Sequence, residues 1–561
     1  MITNGASILL KSLEDEGVKR IFGYPGGSVL PIYDELLKSN IEHILMRNEQ
    51  ACAHAASGVS RSTGKVGVCL CTSGPGATNL VTGIATAFMD SVPLVAITGQ
   101  VPSSMVGTDA FQEVDITGIT LPIVKHSYLV KDANDIGQTV KDAFHIANTG
   151  RKGPVLIDIP RDVQLQEVDY KEPEKTNLPG YKPNYNPNKK QVSRVVKKLK
   201  ESKRPMILLG GGVNHARAYE KVEKMVNLLK IPVITTLMGI SSISRKSPYY
   251  CGMIGLHGSV AANYATSKCD FLLNLGARFD DRTTIVSETF ASDATIVHVD
   301  IDPAEIGKNI ETNIPVVADI NVFLDEFIPK LSAQDWSGWM AEVKSMAEKY
   351  PTVNKGSQTV NPKKVFEKLA EKTDDNIFIT TEVGQHQMFA AQYFPFKKPG
   401  SFITSGGLGT MGYGLPAAIG VAIENPDCLV VNICGDGSLQ MNFAEIATAI
   451  EHDLPIKLIL FNNNSLNLVR QLQYFANEAR YSGIDFTKNP DFCKLVSAYE
   501  GTESYRITSE DQIDEVFDKA LNNSKFTLIE IQADPNDIVY PVASPTKGIR
   551  SMSYLNKTID Y

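Results

Sequence analysis

Short runs of apolar, often β-branched residues alternate with helical stretches along most of the chain. Two such runs, LVVNICG from Leu429 and LILFN from Leu458, lack the polar alternation of a half-exposed strand, which predicts strands buried on both faces. Between them, MNFAEIATAIEHDLP has apolar spacing that suits one helix. The pattern predicts a βαβ unit with neighbouring parallel strands, so Asp436 and Asn463 should both lie at carboxyl ends of the sheet.

The same alternation recurs in three segments that are separated by polar, proline-bearing stretches. The predicted fold class is therefore α/β, with three doubly wound parallel-sheet domains. We expect a first domain over 1–165, a linker over 166–190, a middle domain over 191–340, a linker over 341–362, a third domain over 363–540 and a C-terminal tail over 541–561.

Composition excludes several classes of protein. The chain has 561 residues and a formal charge of −8 without a basic block, which argues against nucleic acid as the main partner. No apolar run reaches the roughly 18 residues that span a bilayer, and the N-terminus lacks a cleavage pattern, so we expect a cytoplasmic protein with no membrane partner. The eight cysteines are scattered, which favours core thiols over disulfides or a zinc site.

The residues that follow the two strands suggest a metal site. One carboxylate, Asp436, and one amide oxygen, from Asn463, suit a hard cation such as Mg²⁺, which takes its other ligands from phosphate and water. Gly435 and Gly437 would let the backbone approach a phosphate closely. Two ordinary turns are the alternative, because Asp-Gly and Asn-Asn are common turn dipeptides.

Glycine-rich stretches add to this picture. TSGPGATN from Thr72 and TSGGLGTMGYG from Thr404 both precede helices of small residues, an arrangement that can hold an anion, and together they favour a diphosphate ligand. In the middle segment, Gly210 and Gly212 begin a nucleotide-binding pattern, but His215 stands where its third glycine belongs. A purely structural domain is an equally good interpretation there.

Eight motifs, in order along the chain and including both glycine-rich stretches, carry a family resemblance. The segments FGYPGGSVLPIYDEL, TSGPGATN, GTDAFQEVD, KHSYLV, GARFDDR, DIDPAEIGK, VGQHQM and SGGLGTMGYGLPAAIG resemble the catalytic subunits of acetolactate synthases, within the thiamine diphosphate-dependent enzymes. The resemblance implies a pyrimidine-binding first domain, a central FAD-type domain and a diphosphate-binding third domain. It also implies that pyruvate is decarboxylated on thiamine diphosphate and joined to a second 2-oxo acid, pyruvate or 2-oxobutyrate.

The resemblance further implies a homodimer or homotetramer, because the family's cofactor lies between the first domain of one chain and the third of another. A small regulatory subunit is a possible partner.

The resemblance also assigns site residues. Thiamine diphosphate would contact Glu49, Pro75, Asn79, Gln385, His386, Gly409, Met411, Gly435, Gly437 and Ser438. Glu49 would be the catalytic acid that hydrogen-bonds the aminopyrimidine, and a glutamate that merely stabilises a helix N-terminus is the alternative there. Mg²⁺ would be held by Asp436, Asn463 and the main-chain carbonyl of Ser465, and FAD by Arg151, Gly211, Arg278, Asp300 and Asp319. Gly27, Phe111, Gln112 and Lys125 would form the substrate channel, and Arg282 would meet the acceptor's carboxylate.

Some positions depart from the family pattern. Asn48 replaces a common histidine, Glu382 a common aspartate, and Leu472 the tryptophan of an Arg-Gln-Trp-Gln motif, so acceptor choice is an open question. Two alternatives are another thiamine diphosphate carboligase or oxidase, such as pyruvate oxidase or glyoxylate carboligase, and a non-catalytic flavin- or nucleotide-binding protein. Glu49 argues against glyoxylate carboligase, and its presence with Asp436 and Asn463 argues against a protein without activity.

Overall fold

A computed structural model describes residues 2–353, 359–555 and 557–561. Its dominant features are three sheets of six parallel strands each, which confirm the predicted α/β class with three parallel-sheet domains. Within the described part of the chain, no helix has the length and apolar character needed to cross a membrane.

The first domain has one sheet with the strand order β3-β2-β4-β5-β7-β6, and β1 pairs with β8 apart from it. Its strands are β1 (Ile2–Asn4), β2 (Arg20–Tyr24), β3 (Glu42–Leu45), β4 (Gly67–Cys71), β5 (Leu94–Gln100), β6 (His126–Leu129), β7 (Pro154–Pro160) and β8 (Glu167–Asp169). Its helices are α1 (Gly5–Asp15), α2 (Leu30–Leu36), α3 (Glu49–Thr63), α4 (Pro75–Asn79), α5 (Val81–Met89), α6 (Ile116–Thr120), α7 (Ile136–Asn148) and α8 (Arg161–Leu165).

Strand β4 shows why these apolar runs do not alternate with polar residues. Val68 and Leu70 pack in the core on one face of the sheet, and Cys69 and Cys71 pack in the core on the other. Because both faces are covered, every position of the strand is buried and the sequence is continuously apolar.

The middle domain has the strand order β11-β10-β9-β12-β13-β14. Its strands are β9 (Pro205–Leu209), β10 (Val233–Thr235), β11 (Tyr250–Met253), β12 (Phe271–Leu275), β13 (Thr295–Asp300) and β14 (Ile314–Val317). Its helices are α9 (Lys189–Glu201), α10 (Gly211–Ala216), α11 (Tyr219–Leu229), α12 (Val260–Lys268), α13 (Asp281–Thr284), α14 (Ile320–Phe327) and α15 (Ser337–Lys349).

Helix α15 crosses the boundary that the sequence predicts at residue 340. Its side chains Trp339, Met340 and Val343 are buried in the core of the middle domain, so the helix belongs to that domain as far as Lys349. The predicted linker over 341–362 therefore begins inside a packed helix, and its residues 354–358 lie outside the described part of the chain.

The third domain has the strand order β16-β15-β17-β18-β20-β19. Its strands are β15 (Ile377–Thr381), β16 (Phe402–Thr404), β17 (Leu429–Gly435), β18 (Lys457–Asn462), β19 (Glu503–Ile507) and β20 (Thr527–Gln532). Its helices are α16 (Pro362–Lys372), α17 (Gln385–Tyr393), α18 (Gly414–Glu424), α19 (Asp436–Leu439), α20 (Glu445–Glu451), α21 (Asn467–Ala476), α22 (Phe492–Ser497) and α23 (Ile513–Leu521). Strands β17 and β18 pair in parallel, which confirms the predicted βαβ unit.

The C-terminal tail forms a small antiparallel sheet of β21 (Val542–Ser544), β22 (Gly548–Tyr554) and β23 (Lys557–Asp560). It packs on the middle domain, where Ile549 joins the core and the amide of Ala543 donates to the carbonyl of Leu256 at 2.8 Å. The tail therefore ties the end of the third domain to the middle domain.

Each of the three parallel sheets has a point at which the strand order reverses, a common place for a ligand crevice. These points lie between β2 and β4, between β9 and β12, and between β15 and β17.

Helices α3 and α18 hold the first and third domains together at close range. A Cβ on Gly58 would lie 2.2 Å from the carbonyl oxygen of Ala417, and one on Gly420 would lie 2.0 Å from that of Ala55, so only glycine fits at either position.

Candidate active site

The predicted metal-binding residues lie together at the carboxyl ends of β17 and β18. Asp436 begins α19 and is 1% exposed, and its Oδ2 accepts a hydrogen bond from Asn489 Nδ2 at 2.7 Å. Asn463 follows β18, and its Oδ1 accepts from the backbone amide of Ser465 at 3.0 Å. All three predicted ligands, Asp436, Asn463 and Ser465, line one small cavity. The structure thus brings together the residues whose convergence the βαβ unit predicts.

The electrostatics of Asp436 suit a bound cation. Burial raises the pKa of its carboxyl group to about 6, while hydrogen bonds from Asn489 and from nearby backbone amides act in the opposite direction. A buried carboxylate is costly unless a positive charge compensates it. A divalent ion at this position would supply that charge.

Two glycines of the same cavity lie where a side chain would clash with its neighbours. A Cβ on Gly435 would lie 2.7 Å from Nδ1 of His386, and one on Gly437 would lie 2.8 Å from a methyl group of Leu466. The absence of a Cβ therefore lets His386 and Leu466 pack directly against the loop that carries Asp436. His386 is buried, its pKa is lowered to about 3 by burial, and its Nε2 has no hydrogen-bond partner within the described residues. A neutral imidazole is thus available to a ligand.

Six residues of the predicted thiamine diphosphate set also line this cavity: Gln385, His386, Met411, Gly435, Gly437 and Ser438. Gln385 is fixed by three contacts, because its Nε2 donates to the carbonyl of Asp537 at 2.7 Å and to Gln471 Oε1 at 3.2 Å, and its Oε1 accepts from Asn467 Nδ2 at 2.9 Å. The cavity therefore has a rigid wall of polar groups.

Glu382 links the glycine-rich loop to this cavity. Its carboxylate accepts hydrogen bonds from the amides of Gly412 at 2.6 Å and Leu415 at 3.0 Å, and from Ser438 Oγ at 3.0 Å. Burial raises its pKa to about 7. The glutamate that replaces the family's common aspartate thus holds the loop that carries Met411, a structural role that the sequence alone did not reveal.

The first domain provides a second polar site, around Glu49. This residue begins α3 just after β3, is 8% exposed, and accepts a hydrogen bond on Oε2 from Asn79 Nδ2 at 2.9 Å. Pro75 begins α4, and a Cβ on Gly76 would lie 3.3 Å from Oε1 of Glu49. The TSGPGATN loop therefore packs directly against the carboxylate.

Two of the predicted channel residues lie at the same edge of the sheet. Gly27 follows β2 and has open space where a Cβ would be, and Gln112 packs against Gly74, whose Cβ would lie 2.8 Å from the Gln112 carbonyl oxygen. Phe111 is 87% exposed beside them. An apolar ring so exposed is available to a substrate or to a second chain.

Lys125 lies elsewhere. It precedes β6, which runs parallel to β7, so it lies at the amino edge of the sheet, opposite the edge that carries Glu49. Its ammonium group donates to the carbonyls of Ile146 and Thr149, and burial lowers its pKa to about 8. Lys125 therefore holds the end of α7 and does not lie beside Glu49 in this chain, and its part in a substrate channel stays a prediction.

The two polar sites are separate within one chain. All residues that line the Asp436 cavity belong to the third domain, between 383 and 537, and Glu49 is not among them. Within one chain, Glu49 and Asp436 therefore do not share a cavity.

A larger cavity of about 730 Å³ lies where the first, middle and third domains meet. All five predicted FAD contacts line it: Arg151, Gly211, Arg278, Asp300 and Asp319. Three of them also have partners in the protein. Arg151 donates to Glu305 at 2.6 Å and to Ser91 at 3.0 Å. Asp300 Oδ1 accepts from the amide of Asp302 at 2.9 Å, and Asp319 caps α14 through the amide of Asn321 at 2.8 Å.

The acceptor residues line the same cavity. Arg282 has a side chain that is 71% exposed, and Leu472, on α21, is 50% exposed. The neighbouring Gln471 is buried and accepts from the amide of Val539 at 2.8 Å, which fixes the helix while Leu472 faces the cavity. Gly409, predicted to contact thiamine diphosphate, lines this larger cavity and not the Asp436 cavity.

Comparisons with known proteins match each of the three domains to a family. Residues 3–119, 192–327 and 382–531 match family models described as the N-terminal TPP binding domain, the central domain and the C-terminal TPP binding domain of thiamine pyrophosphate enzymes. The chain is 44% identical to the acetolactate synthase large subunit of Cyanidium caldarium, covering 100% of this chain and 98% of that protein. It is also 44% identical to that of Pyropia yezoensis, covering 98% and 95%, and 40% identical to the isozyme 3 large subunit of Escherichia coli, covering 99% of each chain.

Proposed function

Because the chain belongs to the thiamine pyrophosphate enzymes, and within them to the acetolactate synthase large subunits, we propose that its active site converts two pyruvates into 2-acetolactate and CO₂. The observation that carries the proposal is the convergence of Asp436, Asn463 and Ser465 on one glycine-lined cavity. The reaction balances, because one pyruvate loses its carboxyl group as CO₂ and the remaining two carbons join the ketone carbon of the second.

The test is a product analysis. Purified protein, given pyruvate, thiamine diphosphate and Mg²⁺, should release one CO₂ for each 2-acetolactate formed. Acetate or acetaldehyde as the main product would favour a pyruvate oxidase or decarboxylase instead, and no turnover at all would favour the non-catalytic alternative.

The residues of the small cavity fit a diphosphate and a magnesium ion. Asp436, Asn463 and the carbonyl of Ser465 would hold the ion, while Gln385, His386 and Ser438 would face the diphosphate. Thiamine diphosphate, when bound, would supply the electron sink that decarboxylation of a 2-oxo acid needs. Met411 would support the bent shape of the cofactor from the loop that Glu382 fixes.

Glu49 and Arg282 would have distinct tasks. Glu49 would exchange a proton with a ring nitrogen of the aminopyrimidine, since a buried carboxyl group held by Asn79 is well placed for acid-base work. The Arg282 guanidinium would bind the carboxylate of the second 2-oxo acid, a match that its planar fork favours. Gln112 and Gly27 would lie at the substrate's entrance.

A complete site would need two chains, because Glu49 does not line the cavity that holds Asp436. We therefore propose a homodimer or a dimer of dimers. Exposed apolar side chains of the first and third domains, including Leu30, Met105, Phe111, Leu121 and Met441, support such an interface. The relatives are large subunits by name, and by analogy a small subunit would be a further partner of this chain.

The larger cavity would hold FAD. Its volume of about 730 Å³ lies within the usual range of cofactor sites, and its lining combines the apolar side chains of Met238 and Ile254 with the cationic groups of Arg278 and Lys308. Acetolactate formation has no net redox change, so the flavin would have a structural role.

We expect the protein to bind FAD and to melt at a higher temperature when the flavin is present in excess, since a saturating ligand stabilises the native state by about 3 kcal/mol. Arg278→Ala should weaken FAD binding about 10-fold or more, because it removes a charge-assisted contact. Fluorescence titration measures FAD affinity, and thermal unfolding with and without FAD measures the melting temperature. Arg194→Ala, on the exposed face of α9, is the control. Wild-type protein that neither binds nor is stabilised by FAD would contradict the proposal.

Acceptor choice should depend on Leu472. A well-packed pocket distinguishes one methylene by roughly 1–3 kcal/mol, and leucine in place of the family's tryptophan should lose part of this discrimination. We expect the wild type to show little preference for 2-oxobutyrate over pyruvate, and Leu472→Trp to raise the ratio of acetohydroxybutyrate to acetolactate about 5-fold or more. Competition between the two acids measures the ratio.

Tyr474→Trp provides the matched control, because it adds an indole to the same helix at a residue that does not line the cavity. A strong 2-oxobutyrate preference in the wild type that Leu472→Trp leaves unchanged would show that this position does not set acceptor choice.

A further inference from the structure

The segment from Ile484 to Asn489 lies directly against the predicted metal loop. The amide of Leu466 donates to the carbonyl of Ile484 at 2.8 Å, and the amide of Phe486 donates to the carbonyl of Asn464 at 2.8 Å. A Cβ on Gly437 would lie 3.0 Å from the ring of Phe486. This segment therefore forms an outer wall for the loops that follow both β17 and β18.

Asn489 joins the two loops through its side chain. Its Nδ2 donates to Oδ2 of Asp436 at 2.7 Å and to Oδ1 of Asn464 at 3.0 Å, and its Oδ1 accepts from Gln440 Nε2 at 3.3 Å. Gln440 in turn donates to the carbonyl of Asp436 at 2.8 Å. All hydrogen-bonding groups of the Asn489 amide are thus used to fix the position of Asp436 relative to the second loop.

We infer that Asn489 is a positioning residue that sets the affinity of the site for Mg²⁺, an inference that rests on the proposed function. A carboxylate has two oxygens and about four lone-pair directions, so a hydrogen bond on Oδ2 leaves room for a metal ion. Because the Asn489 amide is neutral, it orients the Asp436 carboxylate without neutralising the negative charge that attracts the cation. Loss of such an outer partner typically costs about 10- to 100-fold in metal affinity.

The test is calorimetric titration of Mg²⁺ into full-length enzyme with thiamine diphosphate in excess. Asn489→Ala should weaken Mg²⁺ binding about 10- to 100-fold, whereas kcat at saturating Mg²⁺ should stay within about 3-fold of wild type. The melting temperature of the metal-free protein should be unchanged. Asn489→Ser should show the same pattern, because its hydroxyl is too short to reach both Asp436 and Asn464. It replaces the alanine variant if that variant folds poorly.

Two further variants serve as the negative and positive controls for Mg²⁺ binding. Asn522→Ala removes an exposed amide from the same domain, where it donates only to the carbonyl of Asp518 at 2.8 Å, and should bind Mg²⁺ like the wild type. Asp436→Ala should lose binding altogether. Normal affinity in both Asn489 variants, with binding lost in Asp436→Ala, would overturn the inference and leave the proposed function intact. Failure of the wild type itself to bind Mg²⁺ with the cofactor would instead contradict the proposed function.

Discussion

Asp436→Ala should reduce thiamine diphosphate binding in Mg²⁺ buffer by more than about 100-fold, the upper end of the loss seen when only an outer partner of a metal is removed. The carboxylate is the one acidic ligand of the proposed set, and without it the diphosphate would meet the loop with no cation to neutralise it. Calorimetric titration of the cofactor at fixed Mg²⁺ measures the effect.

The same strand supplies the control. Asp427 lies just before β17 and is exposed, whereas Asp436 lies just after it and is buried, so Asp427→Ala removes an aspartate from the opposite end of one strand. That variant should bind the cofactor normally. If Asp436→Ala bound it equally well, the metal would have to be held elsewhere.

The convergence of Asp436 and Asn463 could be predicted from the sequence because it depends on only two neighbouring strands. Two unalternating apolar runs with a helix between them imply parallel neighbours, and parallel neighbours end at the same edge of the sheet. The pairing of Gly435 with Phe461, close to the ends of β17 and β18, confirms this register. The nature of the residues that follow, an aspartate between glycines and a run of asparagines, then indicates the chemistry.

The direction of a strand does not by itself decide which residues reach a site. Lys125 precedes β6 and Arg151 precedes β7, so both lie at the amino edge of the first sheet, yet Arg151 lines the large cavity. That cavity forms where three domains meet, and the pattern of one sheet does not show which of its edges the other domains cover. The role of Lys125 in a substrate channel therefore stays a prediction.

Other features depend on contacts that no local pattern records. Asn489 reaches Asp436 from an irregular segment 53 positions away in sequence, and no periodicity marks it. Arg282 and Leu472 belong to different domains and share a cavity only because those domains pack together. The small sheet of the tail likewise depends on the surface of the middle domain on which Ile549 packs.

Glu49→Gln should slow the turnover of pyruvate by at least about 100-fold while cofactor binding weakens only modestly. Glutamine keeps the shape of the side chain and its carbonyl oxygen can still accept from Asn79, but it cannot exchange a proton, and loss of a placed acid-base group typically costs 100-fold or more. Steady-state acetolactate formation and cofactor titration separate the two effects. Glu42→Gln, in the exposed first position of β3, is the matched control.

Near-normal turnover in Glu49→Gln would mean that another carboxyl group performs the proton exchange. A loss of cofactor binding as large as that of Asp436→Ala would mean that Glu49 has a binding role instead. The expected pattern, in which one variant loses the cofactor and the other loses turnover, is the result that the separate positions of the two residues predict.

Mixing these two variants then tests whether the site is shared between chains. If Glu49 of one chain serves the Asp436 cavity of another, a mixed dimer has one site with both changes and one site with neither. Random reassociation of equal amounts makes half of the dimers mixed, so about a quarter of wild-type activity should return although each variant alone is inactive. A site contained in one chain would restore nothing, because every chain carries a defect. Recovery of activity on mixing would therefore assign the two halves of the site to different chains.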